Sequence, residues 1–238
     1  MVGGALGRPV TEPKAAALPA TSAAAPAAVR PGSVAMMGGT FDPVHVGHLA
    51  IAEAAREQLG FERVLFVTAA RPPHRPEGVV ASAADRHAMV ELAIAGNDTF
   101  VASRIELERP GPSYTADTVE ALRAEGLAGG RTPDVWLILS AETFADLPGW
   151  HEPDRLLAAC RVAVVPRDGY PLPDAAWIAR HFPGREDRIV ILEGPLLAIS
   201  STELRARAAA GRSLRYLVPD TVARFIADHA LYRRTPAL

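Results

Sequence analysis

The sequence predicts an α/β fold, a parallel sheet covered by helices on both faces and contained in one domain. Three observations predict it. Apolar runs of strand length recur along the chain, at Val34–Met37, Val64–Val67, Val135–Leu139, Val162–Val165 and Ile189–Leu192. Between them lie stretches whose apolar residues recur at helical spacing and whose ends carry capping or terminating residues. Strand and helix therefore alternate, the order expected of βαβ units. A length of 238 residues suits one domain of this class.

The first run, Val34-Ala35-Met36-Met37, ends at Gly38-Gly39 and reads as a buried strand entering a tight turn. After Pro43, residues Leu49, Ala52, Ala55 and Leu59 share a helical face that Gly60 closes. Val64–Val67 is the next strand. Ser82 and Asp85 are spaced as a capping pair, opening a helix that directs Met89, Leu92 and Ala93 inward. A further helix is expected from about Thr115 to Glu125, stopped by Gly126. Helical segments separate the last three strands, and a final helix sets Val222, Phe225, Ile226 and Ala230 on one side.

Residues 1–33 stand apart from the body, 34–238. They contain ten Ala and five Pro, no aromatic residue, and charges only at Arg8, Glu12, Lys14 and Arg30. Too few large apolar side chains are present to offset the entropy of ordering, so a disordered extension is expected. Proline interrupts each apolar run before a signal-peptide core can form. A transit peptide and a start codon placed too far upstream are the other readings of this segment.

Composition narrows the chemistry. An apolar fraction of 49% with 22% charged residues is that of a soluble globular chain. The formal charge of −2 gives no support for a nucleic-acid partner. No run of 18 apolar residues exists, so no membrane span is expected. One cysteine excludes a disulfide framework and fits a reducing cytoplasm. Lys14 is the only lysine among 25 basic residues, and it lies in the extension. A body without lysine cannot build a Walker-type phosphate loop, a nucleotidyl-lysine or a Schiff base. Phosphate chemistry here must use backbone N–H groups, His and Arg.

Two segments carry that chemistry. Gly38-Gly39-Thr40-Phe41-Asp42-Pro43-Val44-His45-Val46-Gly47-His48-Leu49 occupies the first strand-to-helix junction. Ligands of open parallel sheets bind at such carboxyl ends. Two glycines allow close backbone approach, and helix N-terminal amides favour phosphate. The spacing of His45 and His48 would place both imidazoles on one face of a helical turn, where they could donate to phosphate oxygens. A zinc site would want different spacing and a third ligand, which is not evident. Downstream, Ile199-Ser200-Ser201-Thr202-Glu203-Leu204-Arg205 opens another helix. Ser200 with Glu203 is a capping box on its own terms. The same free amides could also hold phosphate, with Arg205 as a bidentate partner.

The first segment resembles the T/H-x-G-H signature of the nucleotidyltransferase superfamily. Its fuller form is similar to that of the bacterial nicotinate mononucleotide adenylyltransferases, and the second segment matches their I-S-S-T-x-x-R motif. Three further segments resemble the same family: Arg71-Pro72-Pro73-His74-Arg75, Ser113-Tyr114-Thr115-Ala116-Asp117-Thr118, and Leu147-Pro148-Gly149-Trp150. Taken singly, these also read as a Pro-rich surface turn, a helix cap and a core tryptophan. One departure is Ser140-Ala141-Glu142, where the family usually has Gly-x-Asp; another is Arg167-Asp168-Gly169 in place of Arg-Pro-Gly.

The resemblance implies a Rossmann-like, doubly wound parallel sheet forming a single nucleotidyltransferase domain. It implies transfer of AMP from ATP to the 5′-phosphate of nicotinate mononucleotide, giving nicotinate adenine dinucleotide and pyrophosphate in NAD biosynthesis. His45, His48 and Arg205 are the implied catalytic residues. Gly38, Gly39, Thr40, Phe41, Glu142, Ile199, Ser200, Ser201 and Thr202 would bind ATP. His74, Arg75, Tyr114, Thr115 and Trp150 would bind the mononucleotide, with the indole stacked on the pyridine. Mg²⁺ is expected to arrive on ATP, with few or no protein ligands. Nicotinamide mononucleotide as acceptor, and a non-catalytic nucleotide sensor, are the alternatives. A homo-oligomer is compatible with the sequence but not specified by it.

Overall fold

The structure, a computed structural model, describes residues 29–30, 32–73, 79–128, 130 and 133–233. The expectation for residues 1–33 falls almost wholly outside the described residues; Val29, where they begin, packs against the core.

Six parallel strands form one sheet: β1 (Val34–Gly39), β2 (Val64–Thr68), β3 (Phe100–Ser103), β4 (Val135–Ser140), β5 (Cys160–Val165) and β6 (Ile189–Ile191). Their order is β3-β2-β1-β4-β5-β6, so β1 and β4 are neighbours although far apart in sequence. Met36 of β1 is in register with Leu65 of β2 on one side and Leu137 of β4 on the other. The sheet is doubly wound, and the β1/β4 boundary is where the winding reverses. In such sheets the reversal opens a crevice beyond the strand ends.

Alternation along each strand serves two cores. Met37, Phe66, Trp136, Ile138 and Val165 face one side, against α1 (Val46–Leu59), α2 (Ala83–Ile94) and α9 (Asp220–Asp228). Met36, Val67, Leu137, Leu139 and Val164 face the other. There they meet α4 (Thr115–Ala128), the short α5 (Ala141–Ala145), α6 (Pro153–Ala159) and α7 (Ala175–His181). The short α3 (Ile105–Glu108) precedes α4, and α8 (Ser201–Ala209) follows β6. Helix ends follow the expected chemistry in two cases. Gly60 closes α1 in the left-handed region at φ 71°, and the Ser82 hydroxyl accepts the Asp85 N–H (3.1 Å) at the start of α2.

Three details differ from the sequence reading. β3 has no counterpart among the expected strands: Phe100-Val101-Ala102-Ser103 holds only two large apolar residues, whereas the shorter edge strand β6 reads Ile-Val-Ile. α4 runs through Gly126 to Ala128, because a single interior glycine costs only about 1 kcal/mol and packing against the sheet outweighs it. Gly130, at φ 81°, occupies the left-handed position beyond that helix. Ala230 lies past the end of α9, exposed and with φ 51°, rather than on its apolar face. Among the described residues, no helix is long and apolar enough to cross a membrane.

Candidate active site

A cavity of about 700 Å³ opens beyond the carboxyl ends of β1 and β4. One wall is the turn from β1 into α1. Gly39 is required there: a Cβ would lie 2.9 Å from the ring of Phe41. Phe41 itself is buried at φ 50° and meets His48 edge-on, with ring centroids 5.1 Å apart. The buried Asp42 carboxylate holds the turn from behind. It accepts the Val80 and Ala81 N–H groups (2.9 and 3.2 Å) and the Tyr232 hydroxyl (2.8 Å).

His45 and His48 both line the cavity, but not as two residues of one helical turn. His45 is the N-cap of α1 in extended conformation (φ −146°), and His48 lies in the first turn. Their rings stack with centroids 3.7 Å apart. Gly47 makes that possible, since a Cβ there would sit 3.0 Å from His45 Nδ1. The His45 N–H donates to His48 Nδ1 (3.2 Å). In the neutral ring, His48 therefore carries its proton on Nε2. Burial drives the His45 pKa down to about 3, and the charge of Arg167 adds to the shift. Burial also lowers His48 well below the usual range, assisted by His45 and Arg167. Both imidazoles are neutral donors at pH 7. Among the described residues, the buried His45 Nδ1 has no hydrogen-bond partner.

The opposite wall comes from the N-terminus of α8. The Ser200 hydroxyl caps the helix by accepting the Glu203 N–H (3.2 Å), and the Ser201 hydroxyl donates to the Pro43 carbonyl (2.9 Å). Ser200, Ser201 and Thr202 line the cavity. Arg205 lies behind them rather than in the lining: it donates to the Asp42 carbonyl (2.8 Å) and to the Thr202 hydroxyl (3.2 Å). The cavity-lining guanidinium is that of Arg167, just past β5. It donates to the Ile199 carbonyl (2.6 Å) and lies 3.4 Å from the Glu142 carboxylate, which also accepts the Tyr170 hydroxyl (2.9 Å).

At the far end of the cavity are Ser113, Tyr114 and Thr115 at the start of α4, with Trp150 and His151 facing from the turn before α6. Tyr114 stacks on His151, with ring centroids 3.9 Å apart. Arg155 of α6 joins the two walls through Asp117 and Glu120 of α4 and Glu152. Beneath them is the buried Glu106, whose carboxyl burial pushes up against the opposing pull of a 2.6 Å bond from the Thr118 hydroxyl.

Comparison with known proteins agrees with this architecture. Residues 36–207 match the cytidylyltransferase-like family model. A protein of Roseiflexus sp. (strain RS-1), named "Probable nicotinate-nucleotide adenylyltransferase", is 45% identical over 200 residues, covering 84% of this chain and 98% of its own. The namesake from Symbiobacterium thermophilum is 45% identical over 205 residues, covering 84% and 95%. The chain belongs to the nicotinate-nucleotide adenylyltransferase family. A solved Plasmodium falciparum nicotinic acid mononucleotide adenylyltransferase, complexed with APC, superposes with a TM-score of 0.68 at 15% identity, covering 84% of this chain and 97% of that one. That likeness is one of fold.

The described residues of this family member bring together most of the side chains singled out in sequence. Gly38 to Phe41, His45, His48, Glu142, Ser200 to Thr202, Tyr114, Thr115 and Trp150 all line one cavity. Ile199 contributes through its carbonyl, and Arg205 stands behind the wall. His74 and Arg75 lie outside the described residues; Pro72 and Pro73 before them are in the lining. The departure at Ser140 has a local function, because its hydroxyl accepts the Thr143 N–H (3.2 Å) and caps α5. Glu106 and His151 escaped sequence reading, and Arg167 was noted only as part of the altered turn Arg167-Asp168-Gly169, without a role. For Arg167 the signal was available in its place at a strand's carboxyl end; Glu106 and His151 carry no local signature.

Proposed function

We propose that this protein transfers the AMP moiety of ATP to the 5′-phosphate of nicotinate mononucleotide, forming nicotinate adenine dinucleotide and releasing pyrophosphate. The observation that carries this reading is the meeting of two different walls in one cavity. A glycine turn, two neutral histidines and a capped helix N-terminus stand at one end, and an aromatic acceptor wall stands at the other.

An oxygen of the acceptor 5′-phosphate attacks the α-phosphorus of ATP as the bond to the β-phosphate oxygen breaks. No covalent enzyme intermediate forms. Amides of Gly39 to Phe41 hold the phosphates, and His48 donates through its Nε2–H to the oxygens that gain charge, with His45 stacked beside it. Ser200, Ser201 and Thr202 hold the far phosphates. Arg167 from the cavity and Arg205 from behind Thr202 offset the charge of the leaving pyrophosphate. Glu142 accepts a hydroxyl of the nucleotide once Arg167 turns to phosphate. Mg²⁺ would arrive on the triphosphate of ATP, where it would offset phosphate charge with few or no protein ligands. Residues 34–238 are the catalytic domain, working in the cytoplasm, and the preceding extension takes no part in the chemistry.

Acceptor choice follows from the start of α4. The 14-residue α4 begins at Thr115, which lines the cavity beside Tyr114, and the partial positive charge of that helix end favours a pyridine carboxylate over a carboxamide. With ATP and Mg²⁺ saturating, kcat/KM for nicotinate mononucleotide should exceed that for nicotinamide mononucleotide by about tenfold or more. Equal values would remove the assignment of the acceptor, and binding of ATP without pyrophosphate release from either would mark a sensor.

A further inference from the structure

Arg86 belongs to none of the segments that carry the chemistry, yet it is among the largest fully buried side chains of the molecule, only 1% exposed. It sits in the first turn of α2, and its guanidinium meets no carboxylate within ion-pair distance among the described residues. Its hydrogen-bond partners are backbone carbonyls. Nη1 donates to the carbonyls of Thr40 (2.6 Å) and Ala69 (2.7 Å), Nε to that of Ala81 (3.2 Å) and Nη2 to that of Ala70 (3.4 Å). Thr40 directly follows β1, and Ala69 and Ala70 follow β2. One side chain thus gathers carbonyls from two adjacent strand ends.

The consequence lies across the peptide plane. In a trans peptide the C=O of one residue and the N–H of the next point in opposite directions. With the Thr40 carbonyl drawn back onto Arg86, the Phe41 N–H is turned away from Arg86, and both residues line the cavity. Phe41 N–H makes no backbone hydrogen bond among the described residues. Asp42 complements this on the same segment: it takes the Ala81 N–H, while Arg86 takes the Ala81 carbonyl. A lysine could not do this work, because an ammonium cannot spread a planar fork over four acceptors.

We propose that Arg86 is a positioning residue for the phosphate turn: by holding the Thr40 carbonyl it aims the Phe41 amide at the triphosphate. The proposal rests on the reading of this cavity as a polyphosphate site.

The test compares wild type with Arg86→Lys, and with Arg86→Gln should the lysine variant fail to fold. Dissociation constants are measured by calorimetry for inorganic tripolyphosphate and, separately, for nicotinate mononucleotide, with circular dichroism as the control for fold. Tripolyphosphate binding should weaken tenfold or more in the variant, while mononucleotide binding stays within twofold. In steady state, KM for ATP should rise while KM for the acceptor holds. Unchanged tripolyphosphate affinity, or equal weakening of both ligands as a merely structural defect would give, overturns the proposal. Wild type that binds tripolyphosphate but never releases pyrophosphate from ATP would defeat the functional reading and leave the Arg86 comparison standing on its binding constants.

Discussion

The proposed chemistry would depend on His45 and His48, which the fold keeps neutral and mutually oriented. His48 gives up Nδ1 to the His45 N–H, which leaves Nε2–H as its donor. Gly47 leaves room for the stacked ring of its neighbour, with a would-be Cβ 3.0 Å from His45 Nδ1. Gly47→Ala should therefore push His45 out of the stack and lower kcat roughly tenfold to a hundredfold, with the ATP dissociation constant changing less. Steady-state kinetics beside equilibrium binding check this. The neutrality of His45 also sets a pH dependence. Its pKa falls from 6.5 in the unfolded chain to about 3 in the fold, so the unfolded state binds more protons between those values. The stability it contributes is complete above about pH 6.5 and declines as the pH falls toward 3. Urea unfolding at pH 7.0 and pH 5.5 should show wild type losing more stability than His45→Gln; parallel losses would show that His45 is not buried in its neutral form.

Elements place these residues, and the sequence was informative about them to different degrees. β1, β2, β4 and β5 were legible because central strands of a doubly wound sheet are buried on both faces and read as unbroken apolar runs. β3 was not, because its Phe-Val-Ala-Ser run is only half apolar in bulk, while the equally peripheral β6 was legible as Ile-Val-Ile. The phosphate turn and the start of α8 were legible as local motifs. Arg167 was visible as part of an altered turn past β5 but its role was not, and Glu106 carried no local signature, since the partners of both come from other segments. The acceptor wall shows this dependence on tertiary contact most clearly. Arg155 on α6 bridges Asp117 and Glu120 of α4 to Glu152, fixing the loop that carries Trp150 and His151. Arg155→Ala should raise KM for the acceptor roughly three- to tenfold, a modest effect because exposed ion pairs are individually weak. KM for ATP should hold. A rise in KM for ATP alone would mean that Arg155 does not support the acceptor wall.

At the scale of the whole molecule, topology produces the site. The chain winds outward from β1 through β2 to β3, then returns to begin again at β4, and the crevice left at the reversal is where both substrates are proposed to bind. A body without lysine is no handicap in this arrangement. Glycine amides, two neutral histidines, hydroxyls at a helix N-terminus and Arg167 line the cavity and are the groups proposed to contact phosphate, while Arg86 and Arg205 donate to carbonyls of the turn from behind it. Family membership was legible from the motifs, whereas the bracing was not, because buried arginines announce themselves only once their carbonyl partners are placed. The most direct test of the central claim is product stoichiometry on mixing the protein with ATP, Mg²⁺ and nicotinate mononucleotide. Wild type should form pyrophosphate and nicotinate adenine dinucleotide in equal amounts, and His48→Ala should bind ATP yet turn over about a hundredfold or more slower. ATP bound by wild type without pyrophosphate release, or near-wild-type turnover in folded His48→Ala, would contradict it.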